Sequence, residues 1–263
     1  MKSLHPDFEI KDGDLLTVKV TGDGTSFGSR MGITHIGFCI IAEEFQSTDH
    51  ILILARVPEK YDQLEPLFID IINSIQTLQH VVVDGKKVNL HYKFCADLKF
   101  INEMLGIGPC SSDFPCPWCK CPSSKFYDVT LEWSMTDTAK GARTLQEIAN
   151  EAQLPGKRNK HFSCVRSPMF QIPICDVVMD PLHMYLRISD QLIRQLIKDI
   201  HTQDNVGKNA KNVDKTKCKN ITNFERFISS LGIQWKFTLD RSSGLLTYRD
   251  FVGPEHQKNP AEY

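Results

Sequence analysis

Between residues 15 and 97 the apolar pattern changes period twice, and this limits the folds open to the chain more than any other feature. "LLTVKV" (15–20) alternates, while "ITHIGFCIIA" (33–42) and "HILILARV" (50–57) are rich in β-branched and apolar residues, so all three read as strands. From 59 to 79 the period becomes helical, with Leu64, Leu67, Phe68, Ile71, Ile72, Ile75 and Leu78 on one face. Pro66 is expected in or near the first turn of that helix, where a missing N–H costs least. "VVVDGKKVNLHYKFCAD" (81–97) returns to strand, with Asp84-Gly85 as a turn signal before Val88, Leu90, Tyr92 and Phe94. The order is β-β-β-α-β. Short links suit an antiparallel meander for the first three strands, and the helix permits a crossover to a parallel neighbour.

That order is the opening of an RNase H-like mixed sheet, in which the ends of the first and fourth strands lie side by side. Asp23, in "TGDGTS", closes the first strand and Asp97, in "FCADLKF", closes the fourth. Gly22-Asp23-Gly24 carries two readings at this point. It is a strong hairpin-turn signal, since Asp and Gly both tolerate positive φ, or it is a carboxylate placed at a strand end.

Beyond residue 98 the pattern shortens. "KFINEMLGIG" suggests a short helix, Thr144-Leu-Gln-Glu147 is a capping box, and 176–200 holds the strongest helix, from about Pro181 onward. Lys/Asn-rich 205–220 reads as a flexible connection and "FERFISSLGIQWKF" as a further helix and turn. The expected organisation is a half-core with a Cys loop over 1–125, a largely helical, basic insertion over 126–220, and an incomplete C-terminal segment over 221–263.

Charge is uneven. Residues 1–156 carry 14 Lys/Arg against 21 Asp/Glu, whereas 157–220 carry 12 against 6. A basic segment within an acidic chain points to an anionic partner or to a solvated helical face with a basic loop. The contacts expected for DNA are Lys157, Arg158, Lys160, Arg187, Arg194, Lys208, Lys211, Lys215, Lys217 and Lys219. Nine cysteines, with no apolar leader in "MKSLHPDFEI", indicate a reducing compartment, nuclear or cytoplasmic, and no membrane span is expected.

Cys116-Pro-Trp-Cys119 has the spacing with which two thiolates hold one tetrahedral zinc, with Cys110 and Cys121 close by. Three readings stand: half of a zinc site, a pair of loop cysteines, or a thioredoxin-like dithiol. The last expects a helix N-terminus directly after a first strand, and this motif lies in a Pro-rich loop. Cys164, Cys175 and His183 are further ligand candidates. Asp180-Pro-Leu-His183 opens the strong helix as N-cap, N1 proline and a partly buried His, a motif without an assigned role.

Taken in order, "TGDGTS", "FCADLKF", "CPWC" and "MDPLHMYLRISDQL" resemble the catalytic region of the Transib-type DNA transposases and the related V(D)J recombinase catalytic subunit. They are also similar to uncharacterised invertebrate proteins derived from such elements. The resemblance runs from about residue 15 to 200. It implies an RNase H-like core with a DDE triad, Asp23 and Asp97 as shared ligands of Mg²⁺, and Cys116 and Cys119 as half of a Zn²⁺ site. The implied chemistry is two-metal phosphoryl transfer on DNA, with ions about 3.5–4 Å apart. The family's third acidic residue, a Glu, and its His-x4-His pair have no counterpart here, so the C-terminal part of the core is expected to be missing. The expectation is therefore a domesticated, DNA-binding, catalytically incomplete protein, with a homodimer as a further partner. The alternatives are a Mg-dependent endonuclease or strand-transferase when full-length or partner-completed, acting in DNA recombination, and a protein-interaction domain with no nucleic-acid role.

Overall fold

The computed structural model describes residues 9–27, 31–42, 45–46, 48–207 and 210–248. The chain divides into two compact units, Met1–Asp180 and Pro181–Tyr263. The boundary expected at 125 falls inside the first unit, because Ile148, Cys164, Met169 and Phe170 belong to the same core as the strands.

The first unit is a mixed α/β structure around one curled sheet. Its elements are β1 (Leu15–Phe27), β2 (Met31–Ala42), β3 (Phe45–Gln46), β4 (His50–Ala55), α1 (Tyr61–Thr77), β5 (His80–Val83), β6 (Lys86–Ala96), α2 (Leu98–Leu105), α3 (Leu145–Gln153) and β7 (Val177–Met179). β1 and β2 form a long antiparallel pair from Thr17↔Ile41 to Phe27↔Met31, and β4 adds antiparallel to β2. β6 runs parallel to β1 from Leu15↔Asn89 to Gly22↔Ala96, and β7 runs parallel to β6 from Phe94↔Val177 to Ala96↔Met179. Across the sheet the order is β4-β2-β1-β6-β7, with β5 paired antiparallel to the start of β6.

The period-2 pattern of β1 explains which face is covered. Leu16, Val18, Val20 and Gly22 alternate onto the buried face. There Val18 and Val20 join Leu64, Phe68 and Ile72 of α1, spaced i, i+4, i+8, and Phe100, Ile101 and Met104 of α2, with Gly22 against the Phe100 ring. Phe94 of β6 stacks against Phe170 at 4.8 Å and Phe100 at 6.1 Å between ring centres. Each fully buried Phe contributes about 1.5–3 kcal/mol through apolar area removed from water.

Two local expectations change. Gly22-Asp23-Gly24 is not a turn: β1 continues through it to Phe27, with Asp23 opposite His35. The glycines are there for close approach, since a Cβ at Gly22 would overlap the Phe100 ring and one at Gly24 would overlap the Glu59 side chain. The hairpin turn is instead Asp84-Gly85, with φ of 52° and 77°. Pro66 lies inside α1, beyond its first turn, so it removes one helical hydrogen bond.

The second unit contains α4 (Pro181–Gln203), α5 (Lys219–Ser230), and a hairpin of β8 (Thr238–Leu239) and β9 (Leu246–Thr247). The boundary expected at 220 falls within α5. Its core joins Ile197 and Ile200 to Ile221, Phe224 and Ile228, closed by Trp235 and Phe237. Asp204, just past α4, accepts from the N–H groups of Asn220 (3.0 Å) and Ile221 (2.8 Å) and so caps α5. Residues 210–218 are not a loose connection. Lys211 bridges to Leu245, Lys215–Lys217 form a 3-10 turn, and Cys218 is buried in the core.

Candidate functional site

Asp23 and Asp97 come together at the sheet. Gly22↔Ala96 is the last pair of the β1–β6 ladder, so Asp23 and Asp97 are the next residue on each strand. Parallel neighbours lie about 4.8 Å apart and directly opposed residues face the same side. Ala96↔Met179 is likewise the last pair between β6 and β7, and the Asp180 N–H continues the ladder to the Ala96 carbonyl at 2.8 Å. Asp23, Asp97 and Asp180 are thus each the residue that follows the last paired residue of three neighbouring parallel strands, Asp97 and Asp180 lying just beyond the ends of β6 and β7.

Each of the first two has one oxygen occupied. Asp23 Oδ1 accepts from the Gly24 N–H at 2.8 Å, and Asp97 Oδ1 accepts from the Phe100 N–H at 2.7 Å as the N-cap of α2. Their second oxygens have no hydrogen-bond partner among the described residues. These are hard donors of the type Mg²⁺ prefers. Yet no three His, Cys, Asp or Glu side chains among the described residues converge closely enough to hold a metal ion.

The sequence reading missed a pair beside these strand ends. Glu59 is buried, with its side chain 6% exposed, and forms an ion pair with Lys99, two residues beyond Asp97. Its Oε1 is buried without a hydrogen-bond partner among the described residues. Glu59 packs on Gly24, next to Asp23, so the pair ties the end of β1 to the first turn of α2. The Glu59 carboxylate holds the Lys99 ammonium above its ordinary value.

The cysteine loop is built around a residue that no motif marks. Arg143, 4% exposed, donates from Nε to the carbonyls of Cys116 (2.9 Å) and Cys119 (3.1 Å). Its Nη2 donates to Phe114 (3.1 Å) and Phe162 (2.8 Å), and its Nη1 reaches Cys164 Sγ at 3.4 Å. Trp118 Nε1 donates to the Val177 carbonyl at 2.8 Å, anchoring the loop to β7. Cys119 Sγ donates to Cys116 Sγ at 3.4 Å. That bond, with the N–H groups of Cys119 and Trp118 and the Arg143 charge, brings the Cys116 thiol down to about 6, while Cys119 is pushed up. Cys110 and Cys175 are exposed and Cys121 is buried. The two thiols of the motif lie together, without further His, Cys, Asp or Glu gathered around them into a metal-holding group among the described residues.

The basic residues divide between the units. Lys157, Arg158 and Lys160 are exposed on and beside a 3-10 turn of the first. In the second, Arg187, Lys211, Lys217 and Lys219 are exposed and Arg194 is half-buried. Lys208 lies outside the described residues. Lys215 differs from the others: its ammonium is held by Glu225 at 2.7 Å and the Phe237 carbonyl at 2.9 Å, a structural tie. Along α4, Gln191, Arg194, Lys198, His201 and Thr202 line an open groove together with Tyr248. Asp180 and His183 fall on either side of the unit boundary, and His183 is half-buried in the first turn of α4.

No protein-family model matches the chain, and a search of curated proteins finds no match. No helix among the described residues is long and apolar enough to cross a membrane.

Proposed function

We propose that this chain is a transposase-derived, DNA-binding protein with an RNase H-like core, catalytically incomplete, of the Transib and V(D)J recombinase catalytic subunit type. One observation carries the reading: Asp23 and Asp97 follow the last pair of two parallel strands in a sheet ordered β4-β2-β1-β6-β7. An RNase H-like core is expected to bring carboxylates from its first and fourth strands together in that arrangement.

Asp23 and Asp97 would hold Mg²⁺ through their second oxygens. The bound ion would supply Lewis-acid stabilisation of charge on phosphoryl oxygens. The chain's own contributions are separate. Asp97 keeps its orientation through the α2 cap, and Lys99, fixed by Glu59, sets a positive charge beside the carboxylates, where a phosphate approaches. Exposed lysines and arginines of both units supply non-specific affinity by releasing counterions from DNA. Zn²⁺ on Cys116 and Cys119 alone would be weakly held, since tetrahedral sites take four ligands.

A second reading, a partner-completed Mg-dependent endonuclease, is favoured by Asp180, which follows the last paired residue of a third strand. One pair of measurements tests both. Mn²⁺ titration followed by electron paramagnetic resonance should show binding to the wild type and its loss in the variant carrying Asp23→Asn with Asp97→Asn. Filter binding at low salt should show duplex DNA retained by both proteins. Absence of DNA binding would turn the reading to a protein-interaction domain. Metal-dependent nicking that disappears in Asp180→Asn would favour the endonuclease.

A further inference from the structure

We propose that a gap in the sheet between β5 and β7 is a binding site for an adenine base, read by the Tyr92 main chain and flanking glutamines. The inference does not depend on the metal or DNA readings.

β5 pairs with β6 only as far as Asn89, and β7 begins opposite Phe94, so neither ladder reaches Tyr92. Peptide groups alternate sides along a strand. The Asn89 N–H reaches the Asp14 carbonyl on the β1 side, whereas the Leu90 N–H reaches Gln79 beside β5 and the Ala96 carbonyl accepts from Asp180 at the end of β7. The Tyr92 N–H and C=O therefore face the gap. The Asp176 N–H, next in line before β7, turns back to the Pro173 carbonyl at 2.8 Å and leaves this edge open.

A cavity of about 280 Å³ opens at the gap, at the small end of the range for ligand pockets. Leu90, Ile172 and Pro173 give it apolar walls, while Gln76 and Gln171 supply amides that both donate and accept. Among the described residues its acidic and basic lining is confined to His91 and Asp176, which hold each other at 3.0 Å from Nε2 to Oδ1. No Lys or Arg lines it to receive a phosphate or carboxylate, and no second acid to receive a metal ion or an amine. Such a lining selects a neutral, flat ligand that carries a donor beside an acceptor. Adenine has that edge. Its N6 amino group donates and its N7 accepts, which complements the Tyr92 C=O and N–H, and glutamine amides pair with the same atoms. The base comes from a free nucleoside or from an unstacked position in a nucleic-acid strand, with sugar and phosphate outside the cavity in both cases.

The test uses the full chain labelled with nitrogen-15, and adenosine as the probe. Adenosine should shift the Tyr92 amide signal together with the side-chain amides of Gln76 and Gln171, along one saturation curve. N6,N6-dimethyladenosine lacks the donor and should bind about tenfold more weakly. Gln76→Ala combined with Gln171→Ala should weaken adenosine by about tenfold, the remaining amide signals staying in place if the fold is kept. A single strand with one adenine among abasic sites separates the two sources. If it shifts Tyr92 at lower concentration than adenosine does, the base belongs to a nucleic acid; the opposite order gives a free nucleoside, and either supports the site. Overturning results are no shift with adenosine, equal binding of the dimethyl analogue, or a Tyr92 amide already protected from hydrogen exchange in the free chain. A Tyr92 shift produced only by an extended peptide would likewise overturn the proposal and make the gap a strand-pairing edge.

Discussion

Asp23 and Asp97 are each the next residue after the Gly22–Ala96 pair that ends the β1–β6 ladder, and Asp97 also caps α2 through the Phe100 N–H at 2.7 Å. The two roles of Asp97 separate by substitution. Asn caps a helix as well as Asp, whereas Ala does not. Asp97→Ala should therefore lose about 1 kcal/mol of stability together with divalent-ion affinity. Asp97→Asn should keep the stability and lose only the ion. Urea denaturation with a parallel Mn²⁺ titration reads both, and undiminished Mn²⁺ affinity in Asp97→Asn would remove Asp97 from the metal site.

Arg143 has no charged partner in its hydrogen bonds. It satisfies four backbone carbonyls from a position 4% exposed. Arg143→Met preserves much of the side chain's length but leaves those carbonyls unpaired in the interior. The expected loss is on the order of 3 kcal/mol or more. A fall in the urea midpoint with an unchanged slope checks it, and a midpoint within error of wild type would mean that water replaces the guanidinium.

The elements that the sequence discloses are those long enough to show a period. β1, β2, α1 and β6 each repeat their apolar spacing over at least two turns or pleats. β7 escapes because Val177–Met179 is three residues long and precedes a stronger helical pattern. Gly22 and Gly24 left a turn reading open for a different reason: what excludes a side chain there is the Phe100 ring and the Glu59 chain, far away in sequence. The same limit hides Asp180 as a neighbour of Asp97, Arg143 as the centre of the cysteine loop, and Lys99 as a partner of Glu59. Lys215 and Lys217 are equivalent by composition, and only the fold gives one of them Glu225 as a partner and leaves the other exposed.

His201 makes the second unit sensitive to acid. Burial lowers its affinity for a proton, Asp204 opposes this in part, and its Nε2 lies buried without a hydrogen-bond partner among the described residues. Its ring stacks on Phe237 at 5.3 Å. Because the folded value is below the unfolded one, near 6.5, the unfolded chain binds more protons in this range. Stability should be full above the unfolded value and fall as pH drops below it towards the folded value. Protection of α4 and α5 against hydrogen exchange, relative to the intrinsic rate at each pH, should fall between about pH 7.5 and 5.5, and His201→Phe should flatten that change. An equal loss of protection in the variant would assign the sensitivity to another group, the Asp204 cap being the first to examine at lower pH.

Lysines of the second unit should separate into two kinds. Lys211, Lys217 and Lys219 are exposed, so replacing all three by Ala should change stability little. If they neutralise phosphates, the slope of log K against log salt for duplex DNA should flatten by roughly 2–3, at about 0.9 per contact. Lys215 ties Glu225 and the Phe237 carbonyl together. Lys215→Ala should leave the salt slope near that of wild type and cost about 1–2 kcal/mol, since Glu225 and the carbonyl both lose a charged donor. Hydrogen exchange of α5 reports that loss, and filter binding over a salt series reports the slope. A flattened slope in Lys215→Ala with unchanged α5 protection would show that the Glu225 tie is not formed in solution. An unchanged slope in the triple variant would move the DNA surface to Lys157, Arg158 and Lys160 of the first unit.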